Sequence, residues 1–186
     1  MPPDFRFSVK LPKTITHTAR LERTEDLLVS FLGTASVLGE KLGCLLVQLP
    51  PSLSFDAVVV ERFCETLRGR TAVAIACEPR HASWFAEEPE RLLARLGIAR
   101  VAADPARVPS AAIAGGARAF SYFRLHGSPK VYYSAYPEEF LATLATRVAQ
   151  EAQGDRTVWC IFDNTTLGAA TRNALDLSDR LAASTG

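Results

Sequence analysis

The feature that most constrains the fold is a regular alternation of strand-like and helix-like segments along the chain. Short apolar or alternating runs of strand length are followed by longer segments whose apolar residues recur at helical spacing. The predicted strands are Phe5–Lys10, Cys44–Leu49, Ala72–Cys77, Ile98–Ala102, Ala119–Leu125 and Thr157–Phe162. The predicted helices are Thr24–Leu42, Phe55–Arg68, Pro89–Leu96, Pro137–Ala152 and Thr165–Ala183. Alternating strands and helices predict an α/β fold with a parallel sheet and right-handed crossovers.

Two parallel architectures fit this alternation: an open doubly wound sheet and a barrel. The phosphate-binding fingerprints of the open nucleotide folds, GxGxxG and GxxxxGK[ST], do not occur in the sequence. A complete eight-unit β/α barrel usually takes about 250 residues, whereas this chain has 186. The length therefore predicts a single domain over residues 1–186 and argues against a complete barrel.

A helix cap and an irregular segment add detail to this pattern, and the charge and the cysteines indicate the cellular location. Ser54 is the expected N-cap of the second helix, and the segment Asp104–Arg118 is expected to be irregular. A formal net charge of +1 gives no overall field that would attract nucleic acid or anionic lipid. We find no membrane-length apolar run, no signal-peptide pattern and no CxxC pair, so the prediction is a cytoplasmic protein with unpaired cysteines and no membrane partner.

Polar side chains lie at or just after the carboxyl end of every predicted strand. They are Lys10, Gln48, Glu78, Arg80, His81, Asp104, Arg124, His126, Asp163 and Asn164. Ligands of α/β folds bind at this edge of the sheet, because the loops there line the cleft. The alternative is that these residues are polar simply because loops are exposed.

Strand parity favours the first interpretation. Ser8 and Lys10 share one face of their strand, and Arg124 and His126 share one face of theirs. A face packed against helices does not tolerate unpaired charge, because burying it costs several kcal/mol (roughly 3 or more). The charged faces are therefore expected to point to a shared interior or cleft, which is barrel-like.

The candidate residues fit an enzyme that acts on an anionic or polyhydroxyl small molecule by hydrolase-type or isomerase-type chemistry. Glu78 or Asp104 would be the general base, with His126 as the acid–base partner. Lys10 and Arg124 would hold a phosphate or carboxylate group. The other predicted ligand contacts are Gln48, Arg80, Trp84, Tyr132 and Asn164.

Other functions stay open at this point. Glu78, Asp104, His126 and Asp163 have the oxygen and imidazole groups that divalent ions prefer, but Arg124 and Lys10 would repel a cation, so no metal is predicted. Basic residues beside aromatic ones, as in Lys130–Tyr133, suit non-catalytic binding of a ligand or of nucleic acid. The near-zero net charge makes nucleic acid the less favoured partner. No cofactor is predicted.

Five motifs, taken in order, resemble the YecE-like family, domain-of-unknown-function family 72. They are FRFSVKLPKTITH (Phe5–His17), LLVQLPPSLSFD (Leu45–Asp56), ACEPRHASWF (Ala76–Phe85), YFRLHG (Tyr122–Gly127) and IFDNT with a later NAL (Ile161–Thr165, Asn173–Leu175). The resemblance implies a TIM-barrel-like fold with the polar motif residues at the barrel mouth. It implies no established reaction.

The sequence departs from the family pattern in two places. The first two β/α units of the family, with a GTSGW-like and an EINSSFY-like strand, have no counterpart here, so the expectation is an incomplete barrel of about six parallel β/α units. The family's FNN is replaced by Phe162-Asp163-Asn164, which exchanges an amide for a carboxylate. Exposed edges at the first and last strands lead us to expect an open sheet that gapes, self-associates through those edges, or is part of a longer protein. A truncated, inactive family member is a further possibility.

Overall fold

A computed structural model describes residues 2–184 of the chain. The strands are β1 (Phe7–Lys10), β2 (Leu42–Gln48), β3 (Ala74–Glu78), β4 (Ile98–Arg100), β5 (Ala102–Asp104), β6 (Gly115–Gly116), β7 (Phe120–Leu125) and β8 (Thr157–Phe162). The helices are α1 (Glu25–Ala35), α2 (Ala57–Arg68), α3 (Glu87–Arg95), α4 (Glu138–Glu151) and α5 (Ala169–Ser184). The predicted α/β fold is confirmed.

The strands form two sheets, one in the order β1-β2-β3-β4-β6 and one in the order β5-β7-β8. All pairings are parallel except that of β4 with the two-residue β6. The single strand predicted over Ile98–Ala102 is divided at Val101, whose N–H donates to the carbonyl of Cys77 at 2.9 Å. The chain passes there from the first sheet into the second. Within residues 2–184, β1 and β8 each pair on one side, so no barrel is closed.

Alternation along the strands divides the side chains between two faces. On one face Leu45 and Ile75 pack with the apolar sides of α1, α2 and α3, and Phe123 packs with α4 and α5. The other face carries a third cluster, which comprises Cys44, Leu46, Ala76, Ala99, Val101, Phe120 and Tyr122. Burial of the first face against helices is the main apolar stabilisation of the fold.

The face that carries the third cluster is concave. The hydroxyl groups of Ser8 on β1 and Tyr122 on β7 lie 2.8 Å apart, although these strands are not neighbours in either sheet. Similarly, a Cβ added to Gly43 on β2 would lie 2.7 Å from the ring of Trp159 on β8. Side chains of distant strands therefore meet across this face, and the polar strand ends converge.

Several predicted boundaries were wrong. α1 ends at Ala35 rather than at Leu42, because a 3₁₀ segment follows over Ser36–Lys41, in which Gly39, with φ = +55°, interrupts the helical path before β2 begins. α2 is capped by Asp56 rather than by Ser54, since the Asp56 carboxylate accepts the N–H of Val59 at 3.0 Å.

In the part of the chain that is described, no helix is both long and apolar enough to cross a bilayer.

Candidate functional site

Five of the polar side chains at the strand ends meet above the concave face. They are Gln48 at the end of β2, Glu78 at the end of β3, Arg124 on β7, His126 after β7 and Asp163 after β8. Each lies an even number of residues from an apolar side chain of the concave face, so strand alternation alone directs it there. We call this set the strand-end cluster.

Arg124 is the centre of the strand-end cluster and is 8% exposed. Its Nη1 donates to Gln48 Oε1 at 2.5 Å and to Glu78 Oε2 at 2.6 Å. Its Nη2 donates to Asp163 Oδ2 at 2.8 Å. A buried guanidinium is tolerated only when it is paired and hydrogen-bonded, and the ends of three other strands supply those partners here.

His126 lies between the two carboxylates of the cluster. Its Nδ1 is 3.0 Å from Asp163 Oδ2, and its Nε2 is 3.3 Å from Glu78 Oε1. Ionised carboxylates only accept hydrogen bonds, so both ring nitrogens must carry a proton. Burial lowers the pKa of His126, but the hydrogen bonds to Asp163 and Glu78 outweigh it and raise that pKa above its usual value. The geometry and the pKa both favour an imidazolium.

The two carboxylates are held ionised. Burial raises the pKa of Glu78, yet the His126 hydrogen bond and the charges of Arg124 and Arg80 lower it to about 2. The pKa of Asp163 is also lowered, because the His126 hydrogen bond and the Arg124 charge outweigh burial. Arg80 adds two bonds to Glu78 Oε1, at 3.0 and 2.8 Å. The cluster with Arg80 therefore combines three cations with two carboxylates, which leaves a net positive charge.

A cleft of about 300 Å³ opens beside the strand-end cluster. Its lining includes Glu78, Arg80, Pro105, Arg107, His126 and Tyr132. Arg107 was not among the residues predicted from the sequence, since it lies in the irregular segment after β5 rather than at a strand end. The only signal for it was a basic side chain close to a strand end in a segment rich in proline and alanine.

Two of the predicted residues point away from the cleft. Asp104 accepts the hydroxyl hydrogen of Tyr136 at 2.8 Å, and Tyr136 packs in the cluster between the sheet and α4. Trp84 is fully buried in the core, where its indole N–H donates to the carbonyl of Leu53 at 2.9 Å. Trp84 thus anchors the loop after β2.

Lys10 and Asn164 lie near the same edge of the sheet without joining the cluster. Lys10 is exposed at the end of β1. Burial and the charges of Lys13, Lys10 and Arg80 together lower the pKa of His17. Lys10 therefore belongs to a group of basic side chains around His17. Asn164 is fully buried, and its amide nitrogen donates to Ser134 and Asn173 at 2.9 Å each. Its Oδ1 has no hydrogen-bond partner among residues 2–184.

Neither metal ligation nor thiol chemistry is indicated by the described residues. Over residues 2–184, no group of three or more His, Cys, Asp or Glu side chains is arranged to hold a metal ion. The cysteines there are free, and burial raises the pKa of Cys44, Cys64 and Cys160 to about 12. Thiols with such a pKa stay protonated at neutral pH and are poor nucleophiles.

Comparisons with known proteins agree in relating this chain to one protein family. The model of the family described as "Protein of unknown function DUF72" matches residues 1–186. UPF0759 protein YecE of Escherichia coli K12 is 33% identical over 114 residues, a match that covers 58% of this chain and 41% of YecE. For YecE of Escherichia coli O157:H7 the identity is 32% over 96 residues, covering 51% and 35%. The matched region thus spans less than half the length of these curated relatives.

Solved structures agree with the observed fold. A crystal structure of a DUF72 family protein from Thermotoga maritima superimposes with a TM-score of 0.79 at 28% identity, covering 98% of this chain and 75% of that one. A DUF72 family protein from Enterococcus faecalis gives a TM-score of 0.81 at 21% identity, covering 97% and 76%. The second similarity supports the fold alone.

Proposed function

Because the chain belongs to the DUF72 family, whose name assigns no reaction, we propose its function from the cleft: it binds a small anionic molecule at the carboxyl ends of its strands. The observation that carries the proposal is the charge of the site. Arg80, Arg107 and His126 line the cleft, and the carboxylate of Glu78 is already paired with Arg124. An anion entering the cleft would meet cations that are in place before it binds.

We also propose that the open, curved sheet is a TIM-barrel-like sheet with about six parallel β/α units. The curvature that brings Ser8 to Tyr122 supports this view, as does the outer position of all five helices. In β/α barrels the ligand site is formed at the carboxyl ends of the strands. The strand-end cluster and the cleft occupy the corresponding edge here.

Acid–base chemistry in the cleft is a second candidate function, and one observation favours it. His126 lines the cleft, and its hydrogen bonds to Asp163 and Glu78 raise its pKa and favour the imidazolium, so it can act as a general acid toward a bound anion that replaces one of these carboxylates as the hydrogen-bond acceptor. Glu78, with a pKa of about 2, is a weak base at neutral pH. The structure therefore favours proton donation by His126 over proton abstraction by Glu78.

The test uses the two arginines that line the cleft without being deeply buried in the cluster. We expect Arg80→Gln and Arg107→Gln each to weaken the binding of inorganic phosphate and of sugar phosphates about tenfold, because a hydrogen bond to a charged group contributes about 1.5–3 kcal/mol. Isothermal titration calorimetry of the purified chain measures the affinities.

Arg91→Gln is the matched control, because Arg91 forms an exposed ion pair with Glu87 on α3. It should leave the affinities unchanged. The proposal is wrong if none of these anions binds, or if Arg80→Gln and Arg107→Gln bind them as tightly as the unmodified chain does. Arg124 is unsuitable as a test residue, since its loss would leave Glu78 buried without its main partner.

A further inference from the structure

We infer that the anion bound in this cleft carries a ring that packs against Tyr132, so that the ligand class is a phosphorylated ring compound such as a sugar phosphate or a mononucleotide. The inference rests on the proposed anion-binding function and specifies the rest of the ligand. It comes from the position, the backbone conformation and the exposure of one aromatic residue.

Tyr132 forms the aromatic wall of the cleft beside its cationic side. The rings of Tyr132 and His126 are nearly perpendicular, at 85°, with centroids 5.7 Å apart. Tyr132 is 42% exposed, although His126 is 5% exposed. Val131, which is 39% exposed, also lines the cleft. A ligand whose anionic group reaches His126 and Arg80 therefore has uncovered aromatic surface next to its remaining atoms.

The backbone holds Tyr132 in this position at a conformational cost. Its φ is +69°, a value that residues with a Cβ rarely adopt. The Tyr132 N–H donates to the carbonyl of His126 at 2.5 Å, and the Tyr132 carbonyl accepts the N–H of Thr166 at 3.1 Å. Both hydrogen bonds tie this residue to the segments that follow β7 and β8. Non-glycine residues in disfavoured conformations are concentrated at sites that clamp a ligand.

Gly127 makes the close approach of this loop possible. Its φ is +93°, and a Cβ added there would lie 2.8 Å from the carbonyl oxygen of Ser134. Any larger residue would push the 128–134 loop away from the strand end. The glycine after His126 thus allows the loop to fold back and bring Tyr132 against the His126 ring.

The neighbouring residue, Tyr133, provides a natural contrast. It is 40% exposed, almost the same as Tyr132, but it is not among the residues that line the cleft. Its ring instead contacts the ammonium of Lys130, 4.1 Å from the ring centroid. Two adjacent tyrosines with similar exposure therefore differ in their contact with the cleft, which makes Tyr133 a useful comparison for Tyr132.

The composition of the cleft determines the chemical class. Arginine and imidazolium groups bind phosphate oxygens through charge-assisted hydrogen bonds. Aromatic faces pack against nucleobases and other rings without needing a particular hydrogen-bond pattern. A volume of about 300 Å³ is at the lower end for small-ligand sites, which suits one ring and one phosphate rather than a dinucleotide.

The experiment compares four probes on the full chain by calorimetry: inorganic phosphate, glycerol phosphate, ribose phosphate and uridine monophosphate. Glycerol phosphate supplies an organic phosphate without a ring, and the last two separate a sugar ring from a nucleobase. The variants are Tyr132→Gly, which suits a left-handed backbone, and Tyr133→Ala as the matched control. Thermal melting confirms that each variant is folded.

We expect at least one ring compound to bind about tenfold more tightly than glycerol phosphate. Tyr132→Gly should remove this preference and keep the affinity for inorganic phosphate, and Tyr133→Ala should keep both. The inference is overturned if phosphate binds but ring compounds have no advantage, or if the advantage survives in Tyr132→Gly; the anion-binding function would then stand alone. If inorganic phosphate does not bind either, both proposals fail.

Discussion

At the scale of single residues, the strand-end cluster holds four charged side chains, and each of them is stabilised by a neighbour of opposite charge. Arg124 pairs with Glu78 and Asp163, and His126 contacts the same two carboxylates. Each charge is partly compensated by groups from other strands, so the protonation states are coupled.

The first prediction concerns Asp163→Asn, which keeps the shape of the side chain and removes its charge. We expect the pKa of His126 to fall, because an amide oxygen stabilises an imidazolium less than a carboxylate does. NMR titration of the three histidine side chains measures the shift. His17 serves as the internal control and should titrate as in the unmodified chain. An unchanged His126 titration would show that the Asp163 charge does not raise that pKa.

Stability should follow the same linkage. Because the pKa of folded His126 is raised, its stabilising contribution is fully present below pH about 6.5. That contribution is lost as pH rises through the raised value. The contribution of Glu78 has the opposite sign: it is present above pH about 4.5 and is lost as pH falls toward about 2. The melting temperature of the unmodified chain should fall as pH rises above neutral. In Asp163→Asn this fall should be smaller, because the pKa of His126 is raised less.

At the scale of elements, the strands and helices were largely predictable, because alternation and helical spacing are local properties of the sequence. The errors lie where tertiary contacts decide. α1 ends at Ala35 although the apolar spacing continues to Leu38, and Val101 divides one predicted strand between two sheets. The sequence predicted that the segment after β5 is irregular. It did not predict the tether that fixes this segment, because the tether is formed by side chains of β4 and α3.

The second prediction concerns that tether. Arg100, which is 7% exposed, donates to Glu90 Oε2 at 2.7 Å and to the carbonyls of Ser110 and Ile113 at 3.0 and 3.2 Å. Arg100→Met retains the apolar stem and removes these bonds. We expect a loss of roughly 2 kcal/mol in the free energy of unfolding. Amide exchange should become faster over residues 105–116, the segment that carries Arg107 to the cleft.

Arg95→Met is the control, since Arg95 pairs with Glu61 at an exposed position. It should cost less than about 1 kcal/mol and leave exchange in the segment unaltered. Equal exchange over residues 105–116 in Arg100→Met and in the unmodified chain would contradict the assignment. The segment would then be held by its own turns rather than by the guanidinium.

At the scale of the whole molecule, the site was only partly predictable. Strand parity directs Gln48, Glu78, Arg124 and His126 to one face, and the structure brings these four together. Asp104 ends β5 two residues after Ala102, which packs on the helix side, so the same alternation directs it toward Tyr136 rather than to the concave face. Arg107 depends on the path of a loop, which no periodic pattern describes. Whether these residues have the predicted catalytic roles stays a prediction.

The third prediction concerns the open edges of β1 and β8, the outer strands of the two sheets. The N–H of Asp163 donates to Leu125 on β7, so alternation directs the N–H groups of Cys160 and Phe162 to the unpaired side of β8. Within residues 2–184, no strand pairs with that side or with the outer side of β1. Unpaired edges are templates for another strand. We therefore expect the chain to self-associate, with an average mass in sedimentation equilibrium that rises with concentration.

Cys160→Pro tests whether β8 is the contact. Proline removes an outward N–H without removing a ladder bond to β7, and edge positions tolerate it. Cys160→Ala is the matched control, because it also loses the thiol but keeps the N–H. The expected result is association in the unmodified chain and in Cys160→Ala, and a weaker association in Cys160→Pro. A constant monomer mass for the unmodified chain, or equal association in both variants, would exclude this edge as the contact.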